Sequence, residues 1–210
     1  FYDLYMKRHI TKPKQVQKAR LRKESNMDNG ASSYRRFLDG DKNALIDIIE
    51  DYRRGLVLFL NSITGDFCLA EELAEDTLLK LYVDRPKFSG KSSFKSWLYS
   101  IGRNTAVDYI RKASKLGEVP VDDMYDVSDR DDIEQDYIKS EDKKQLLRAL
   151  EKLNDDYRQV LYLIYFENFS NTETAKIMGR SERQIRNLLY RSKESLRNIL
   201  EREGFRYEEI

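Results

Sequence analysis

Seven side chains crowd one short stretch near the end of the chain: Arg183, Gln184, Arg186, Asn187, Tyr190, Arg191 and Lys193. Arg, Gln and Asn carry forked donors and acceptors that match base-pair edges in a major groove, and Arg and Lys neutralise phosphates. The apolar residues between them, Ile185, Leu188 and Leu189, continue through Ser192 and Leu196 at three- and four-residue spacing. That spacing puts the polar set on the outer side of one predicted helix. Only Glu182, Glu194 and Glu201 oppose it in charge. A solvated helix surface is the plain alternative, but so many cations and amides against three acids favour a nucleic-acid contact.

A second set lies upstream, in the run Phe94 to Lys112, where aromatic residues alternate with Lys95, Arg103, Arg111 and Lys112. Rings beside cations hold unstacked bases, each stack being worth ~1–3 kcal/mol. Aromatics at helical spacing are more often core, and Trp97, Leu98, Ile101, Val107 and Ile110 are expected there, which leaves a smaller set for contact. A third set has the opposite sign. Glu71, Glu72, Glu75 and Asp76 line one side of a predicted helix from Phe67 to Val83, whose other side carries Leu69, Ala70, Leu73, Ala74, Thr77, Leu78, Leu81 and Tyr82. That stripe repels phosphates and suits either water or a basic protein surface.

The elements that position these sets are helical. Ala175, Ile177 and Met178 give a short helix an apolar side, with Asn171 or Thr172 as its cap, Gly179 as the left-handed residue that ends it and Ser181 as cap of the next. Together they read as a helix-turn-helix. Under it, Leu146, Leu147, Leu150 and Leu153 make one scaffold helix, and Val160, Leu161, Leu163, Ile164 and Phe166 make another after a cap at Asn154 and Asp155. Toward the other end the helical pattern starts at Ser33 with Tyr34, Phe37 and Leu38. It resumes after Gly40 with Asp41 as N-cap, and breaks at Gly65 and Asp66. Pro86 to Ser93 is a loop.

Composition separates two such modules. Lys115 to Asp142 is dominated by Asp and Glu and reads as a linker, either a plain tether or a polyanion that mimics nucleic acid to a positive channel. Residues 1–32 are a basic arm and 205–210 a short tail. The domains expected are therefore 33–113 and 142–204, joined by 114–141, in an all-α fold. Across 210 residues the net charge is +1, so any nucleic-acid affinity must come from local asymmetry. One cysteine, Cys68, and one histidine, His9, exclude an internal disulfide and a thiolate or histidine metal cluster; Cys68 is expected to be a buried thiol. No apolar run is long enough to span a membrane, and the N-terminus lacks a signal-peptide core, so the cytoplasm is the expected address.

The runs AEELAEDTLLKLY (Ala70 to Tyr82) and PKFSGKSSFKSWLYSIGRNTAVDYIRK (Pro86 to Lys112) resemble region two of the extracytoplasmic-function (ECF) sigma factors of bacterial RNA polymerase, within the sigma-70 family. The helix-turn-helix is similar to region four of that family, so the resemblance covers about residues 34 to 200. Glu75 stands where a Gln is usual and Leu78 where Phe is common; the basic arm has no counterpart. The resemblance implies a promoter-specificity factor with no cofactor and no catalytic residues. Glu71, Glu72, Glu75 and Asp76 would dock on the beta-prime subunit of core polymerase, which contacts the factor together with beta. Phe88, Ile101 and Asn104 would form a pocket for a flipped base of the melted -10 element, with Arg103, Arg111 and Lys112 on phosphates. Arg183, Gln184, Arg186, Asn187, Tyr190, Arg191 and Lys193 would read the -35 duplex, and the linker would thread the polymerase. An anti-sigma factor is an implied further partner.

Two other classes have sequence-level discriminators. A stand-alone helix-turn-helix regulator would need neither the Phe94 to Lys112 helix nor the acidic linker. An enzyme would need a phosphate-binding loop, a nucleophile elbow or a metal-ligand cluster, and none is found.

Overall fold

The computed structural model describes residues 29–116 and 141–204, and every regular element among them is helical. The expectations placed on the basic arm, the tail and all but the edges of the acidic linker lie outside the described residues. The helices are α1 (Asn29–Leu38), α2 (Asn43–Thr64), α3 (Phe67–Val83), α4 (Phe94–Leu116), α5 (Glu141–Glu151), α6 (Asp155–Leu161), α7 (Asn171–Met178) and α8 (Glu182–Arg202). α1 begins a turn before Ser33, because Asn-Gly-Ala-Ser carries no apolar rhythm to announce it.

The long α2 is the central rod. It packs on α1, α3 and α4, burying Ala44, Ile48, Leu56, Val57, Phe59, Leu60 and Ile63. Its N-cap is Lys42, not Asp41, and makes no side-chain cap bond. Asp41 instead accepts from the Asn43 backbone N–H at 3.1 Å and is held by Arg36. The break at Gly65 and Asp66 is as expected: Gly65 closes α2 in the left-handed region, and the Asp66 side chain caps α3 by accepting from the Leu69 N–H at 3.1 Å.

At one end of this module an aromatic cluster replaces aliphatic packing. Phe94 is fully buried, with ring centroids 5.5 Å from Tyr34 and Trp97, 5.6 Å from Tyr52 and 5.7 Å from Phe88. Tyr34 donates to the Pro86 carbonyl at 2.8 Å, which ties the loop before α4 to α1. Burial pushes its hydroxyl pKa up to about 12, against the lowering effect of Arg85.

Three expectations about burial are corrected. Cys68 is exposed, because it sits in the first turn of α3 off the side formed by Ala70, Leu73 and Ala74. Val107 is exposed too, as is Tyr82; the buried side of α4 consists of Phe94, Leu98, Tyr99 and Ala106. Periodicity ranks positions by apolarity, but α4 is covered from two directions, so its polar members Ser96 and Thr105 are buried as well.

In the second module Asn154 caps α6 through the Tyr157 N–H at 2.9 Å, as its type predicts. The helix then widens into a π-helical turn over Tyr162–Phe166. The Glu167 N–H reaches the Tyr162 carbonyl at 3.2 Å. That extra residue per turn explains why the buried set is Val160, Leu161, Leu163 and Tyr165, with Ile164 and Phe166 only partly covered.

The two modules share one core. α4 packs on α7, and α2 on α6. Phe59 stacks on Tyr162 at 6.2 Å, and Tyr99 meets Phe169 edge-on at 5.1 Å. The two domains expected from composition are therefore in contact face to face as well as through their linker.

Candidate nucleic-acid interface

α7 and α8 are built as the sequence requires, with one correction. Ser170, not Asn171 or Thr172, caps α7: its side chain accepts from the Glu173 N–H, and the Glu173 carboxylate accepts from the Ser170 N–H at 3.0 Å. Glu173 three residues on makes Ser170 the better cap than its neighbours, and the Ser-x-x-Glu spacing was the available signal. Gly179 ends α7 at φ 63°, a conformation that costs glycine little, and Ser181 caps α8 in a second capping box with Gln184.

On α8, Ile185, Ser192, Leu196 and Leu200 face inward. Arg183, Gln184, Arg186, Asn187, Tyr190 and Arg191 are exposed, Tyr190 at 71%. These six lie on the outer side of one helix, starting at its first turn. They are not equally free. The Gln184 side-chain Oε1 accepts from the Ser181 N–H at 2.8 Å, Arg186 lies 3.7 Å from Glu182, and Lys193 is half-buried over the Tyr165 ring at 5.6 Å. Lys193 thus belongs more to the scaffold than to the outer face.

α4 carries the second set, divided by helix geometry. Trp97, Ile101, Asn104 and Arg111 recur at three-, four- and seven-residue steps and share one side. Phe88 joins that side by packing on Trp97 at 5.1 Å, while Asn104, Arg111 and Lys112 are exposed. Arg111 pairs with Asp108 at 3.0 Å. Arg103 is elsewhere. It lies about 100° around the helix from Asn104, half-buried, donating to the Gln159 side chain at 3.1 Å; burial lowers its pKa from the usual arginine value. The structure therefore brings Phe88, Ile101 and Asn104 along one stripe, with Arg111 and Lys112 beyond, and separates Arg103 from them.

The acidic stripe on α3 has a partner the sequence did not announce. Arg53 of α2 bridges Glu71 and Glu75, 3.1 Å from each; Glu71 is half-buried, while Glu75 stays exposed with Glu72 and Asp76. No pattern links Arg53 to residues eighteen and more positions away, so only the α2–α3 packing reveals it. Among the described residues no group of three or more acidic, cysteine or histidine side chains could hold a metal, and no helix is long and apolar enough to cross a membrane.

Two helical modules, one presenting a stripe of aromatic, amide and basic side chains and the other a helix-turn-helix, have the form of a DNA-binding protein. The comparisons agree with that geometry. Residues 48–116 match the family model described as Sigma-70 region 2, and residues 143–196 match Sigma-70, region 4. The chain is 30% identical to the ECF RNA polymerase sigma factor SigM of Bacillus subtilis over 157 residues, covering 74% of this chain and 94% of that protein. It is 27% identical to the ECF RNA polymerase sigma factor SigX of the same organism, covering 73% of this chain and 82% of that one. Among solved structures, the sigma factor RpoE in complex with the anti-sigma factor NepR from Bartonella quintana superposes with a TM-score of 0.61 at 25% identity, covering 74% of this chain and 95% of that chain. The chain belongs to the extracytoplasmic-function sigma factors of the sigma-70 family, which direct RNA polymerase to promoters and set where transcription starts.

Proposed function

We propose that this sigma factor divides its work among three surfaces. The outer face of α8 reads the -35 duplex: Arg186, Asn187, Tyr190 and Arg191 supply base and backbone contacts, with Arg183, Gln184 and Lys193 flanking them. The stripe on α4 captures the melted -10 strand. Phe88 and Ile101 wall an apolar pocket, Asn104 reads the edge of a flipped base, and Arg111 and Lys112 steady phosphates, joined by Arg103 once it is released from Gln159. The exposed carboxylates of α3, Glu72, Glu75 and Asp76, with the half-buried Glu71 beside them, dock on a basic surface of core polymerase. The domain division that supports this scheme is a region-two unit at 33–113 and a region-four unit at 142–204.

The observation that carries the reading is the exposure of one cationic and amide-rich face on a capped helix-turn-helix, beside a second helix whose exposed stripe combines rings, an amide and cations. Duplex capture and single-strand capture demand different chemistries, and the two faces differ accordingly. The protein acts without catalysis of its own, inside the cell where the polymerase is. The solved relative in complex with an anti-sigma factor supports an anti-sigma partner here as well. In-vitro transcription with core polymerase on genomic promoters tests the scheme. Asn104→Ala and Arg191→Ala are expected to change promoter choice at the -10 and -35 elements respectively. Unchanged choice in both would refute the assignments.

A further inference from the structure

The two capping boxes of the helix-turn-helix leave one hydroxyl and one carboxylate over. Ser170 caps α7 and Ser181 caps α8, each reciprocally with the residue three positions on, so neither Thr172 nor Glu182 is needed to close a helix end. These two meet each other instead. The Thr172 hydroxyl, in the first turn of α7, donates to the Glu182 carboxylate oxygen Oε1 at 2.8 Å, from one helix of the pair to the other. The second oxygen, Oε2, lies 3.7 Å from the Arg186 guanidinium, one turn further along α8. All three residues are exposed at the N-terminal end of the helix whose outer face is cationic. Among the described residues, neither Arg183 nor Arg191 on that face has an ion-pair partner.

Stability does not explain this carboxylate. An exposed ion pair at i,i+4 contributes little to folding. The helix dipole favours an acid in a first turn, but that interaction calls for neither Thr172 nor Arg186. Against DNA the charge is unfavourable, because a recognition helix brings its N-terminal residues close to the duplex and every sequence presents phosphates there. What the carboxylate can supply is direction. Arginine reads guanine O6 and N7 only when both donors of its planar fork point together at the base edge. Unheld, the long side chain samples many rotamers and must be ordered at the moment of contact. A carboxylate fixed from behind by a hydroxyl removes part of that ordering cost in advance. The combination weakens binding to all sequences and sharpens the distinction among them.

We propose that Thr172 and Glu182 are positioning residues for base readout: the hydroxyl holds the carboxylate, the carboxylate holds the Arg186 guanidinium, and the three together set a guanine preference at one position of the duplex that α8 reads. This rests on the assignment of Arg186 to a -35 base edge. It adds two residues outside the cationic set whose loss is felt as specificity rather than as affinity.

The test uses holoenzyme assembled from core polymerase and full-length variants. Binding is measured on promoters in which each -35 base pair is changed in turn, and on fragments of equal length that carry no promoter. Arg186→Ala identifies the base pair that Arg186 reads. Thr172→Val is expected to lower discrimination at that same base pair by about two- to tenfold, and Thr172→Ser to restore it. Glu182→Ala should lower it as much and, unlike Thr172→Val, should bind the promoter-free fragments more tightly, by roughly two- to fivefold. The double variant Thr172→Val with Glu182→Ala should discriminate no worse than Glu182→Ala alone. A purely structural role would instead lower the thermal midpoint and weaken binding to every sequence alike, and that result would overturn the proposal. So would undiminished discrimination in Thr172→Val, or a Glu182→Ala effect at a different base pair, which would make Glu182 a base reader in its own right. Failure of the -35 assignment would look different: Arg186→Ala itself would leave preference unchanged at every position.

Discussion

Arg53 and Glu71 meet at 3.1 Å across the α2–α3 contact, and the same guanidinium reaches Glu75 at the same distance. One cation therefore pairs with Glu71 and the exposed Glu75 and leaves an outer half of the acidic stripe, Glu72 and Asp76, outside the bridge for a partner. Charge reversal on that outer half, Glu72→Lys with Asp76→Lys, is expected to weaken association with core polymerase at least tenfold while leaving thermal stability within about 0.5 kcal/mol, because both sites are exposed. Arg53→Ala should cost no more than about 1 kcal/mol, as partly exposed pairs do. Equal affinity of the charge-reversed and unaltered proteins in gel filtration or interferometry would remove α3 from the docking surface.

Asn104 stands one turn beyond Ile101 on an exposed stripe of α4. Asn104→Ala is expected to lose ~1–3 kcal/mol at promoters that carry the preferred flipped base and little at promoters that lack it. Permanganate footprinting of the open complex, run beside abortive-transcript assays on both promoter types, checks it. A uniform loss at every promoter would mean a phosphate contact instead.

On α8 the expected split is by chemistry. Arg191→Ala or Asn187→Ala should relax preference at single positions of the -35 element, whereas Arg183→Ala should weaken all sequences alike and reduce the salt slope of binding by about one. Titrating promoter fragments with holoenzyme at several salt concentrations separates the two. Identical slopes and identical preferences for all three variants would contradict the division.

Acid should loosen the contact between α7 and the loop before α4, where Ser93 donates to Glu173 at 2.9 Å. Burial alone would raise the Glu173 pKa, but hydrogen bonds from the Ser170 backbone and side chain and from Ser93, together with nearby Lys95, hold its carboxyl below the ordinary 4.5. A carboxyl depressed in the folded state contributes stability that is present above its unfolded pKa and lost as pH falls through the folded one. The thermal midpoint is therefore expected to drop as pH falls below about 4.5, and Glu173→Gln should flatten that part of the profile in differential scanning calorimetry. A profile unchanged by Glu173→Gln would show that other carboxyls dominate.

Phe94 is the keystone of the aromatic cluster. Phe94→Ala is expected to cost 3–5 kcal/mol, because four neighbouring rings cannot all close on the gap, and Phe94→Leu distinctly less. Urea melts of the full chain report both. A cost for Phe94→Ala no larger than for an exposed site would show that the cluster collapses freely.

What was legible in the sequence was local. The caps at Ser181 and Asn154, the stop at Gly179, the break at Gly65 and Asp66 and the outward set on α8 all follow from rules that act over three or four residues. The cap at Ser170 was missed in favour of its neighbours, although Glu173 marked it. What could not be read was the meeting of distant residues. Lys95 and Glu167 are 72 positions apart, and Arg103 looks like any cation on a DNA-facing helix until Gln159 is seen beside it. The exposure of Cys68 and Val107 had the same cause: residue type predicts average burial, whereas rotational position on a particular helix decides it.

The wide turn at Tyr162–Phe166 is where α6 changes its angular phase. Without the inserted residue the helix would present a single continuous seam, and Tyr162 and Glu167 could not face the first module while Leu163 and Tyr165 stay inside the second. The insertion sets the two seams out of step, so that Tyr162 and Glu167 serve one module while Leu163 and Tyr165 serve the other. Deleting one residue there should leave the helix-turn-helix packed and rotate the Glu167 side chain off Lys95. The joint between the modules thus depends on the pitch of one helical turn as well as on Lys95 and Glu167, which meet at 2.6 Å.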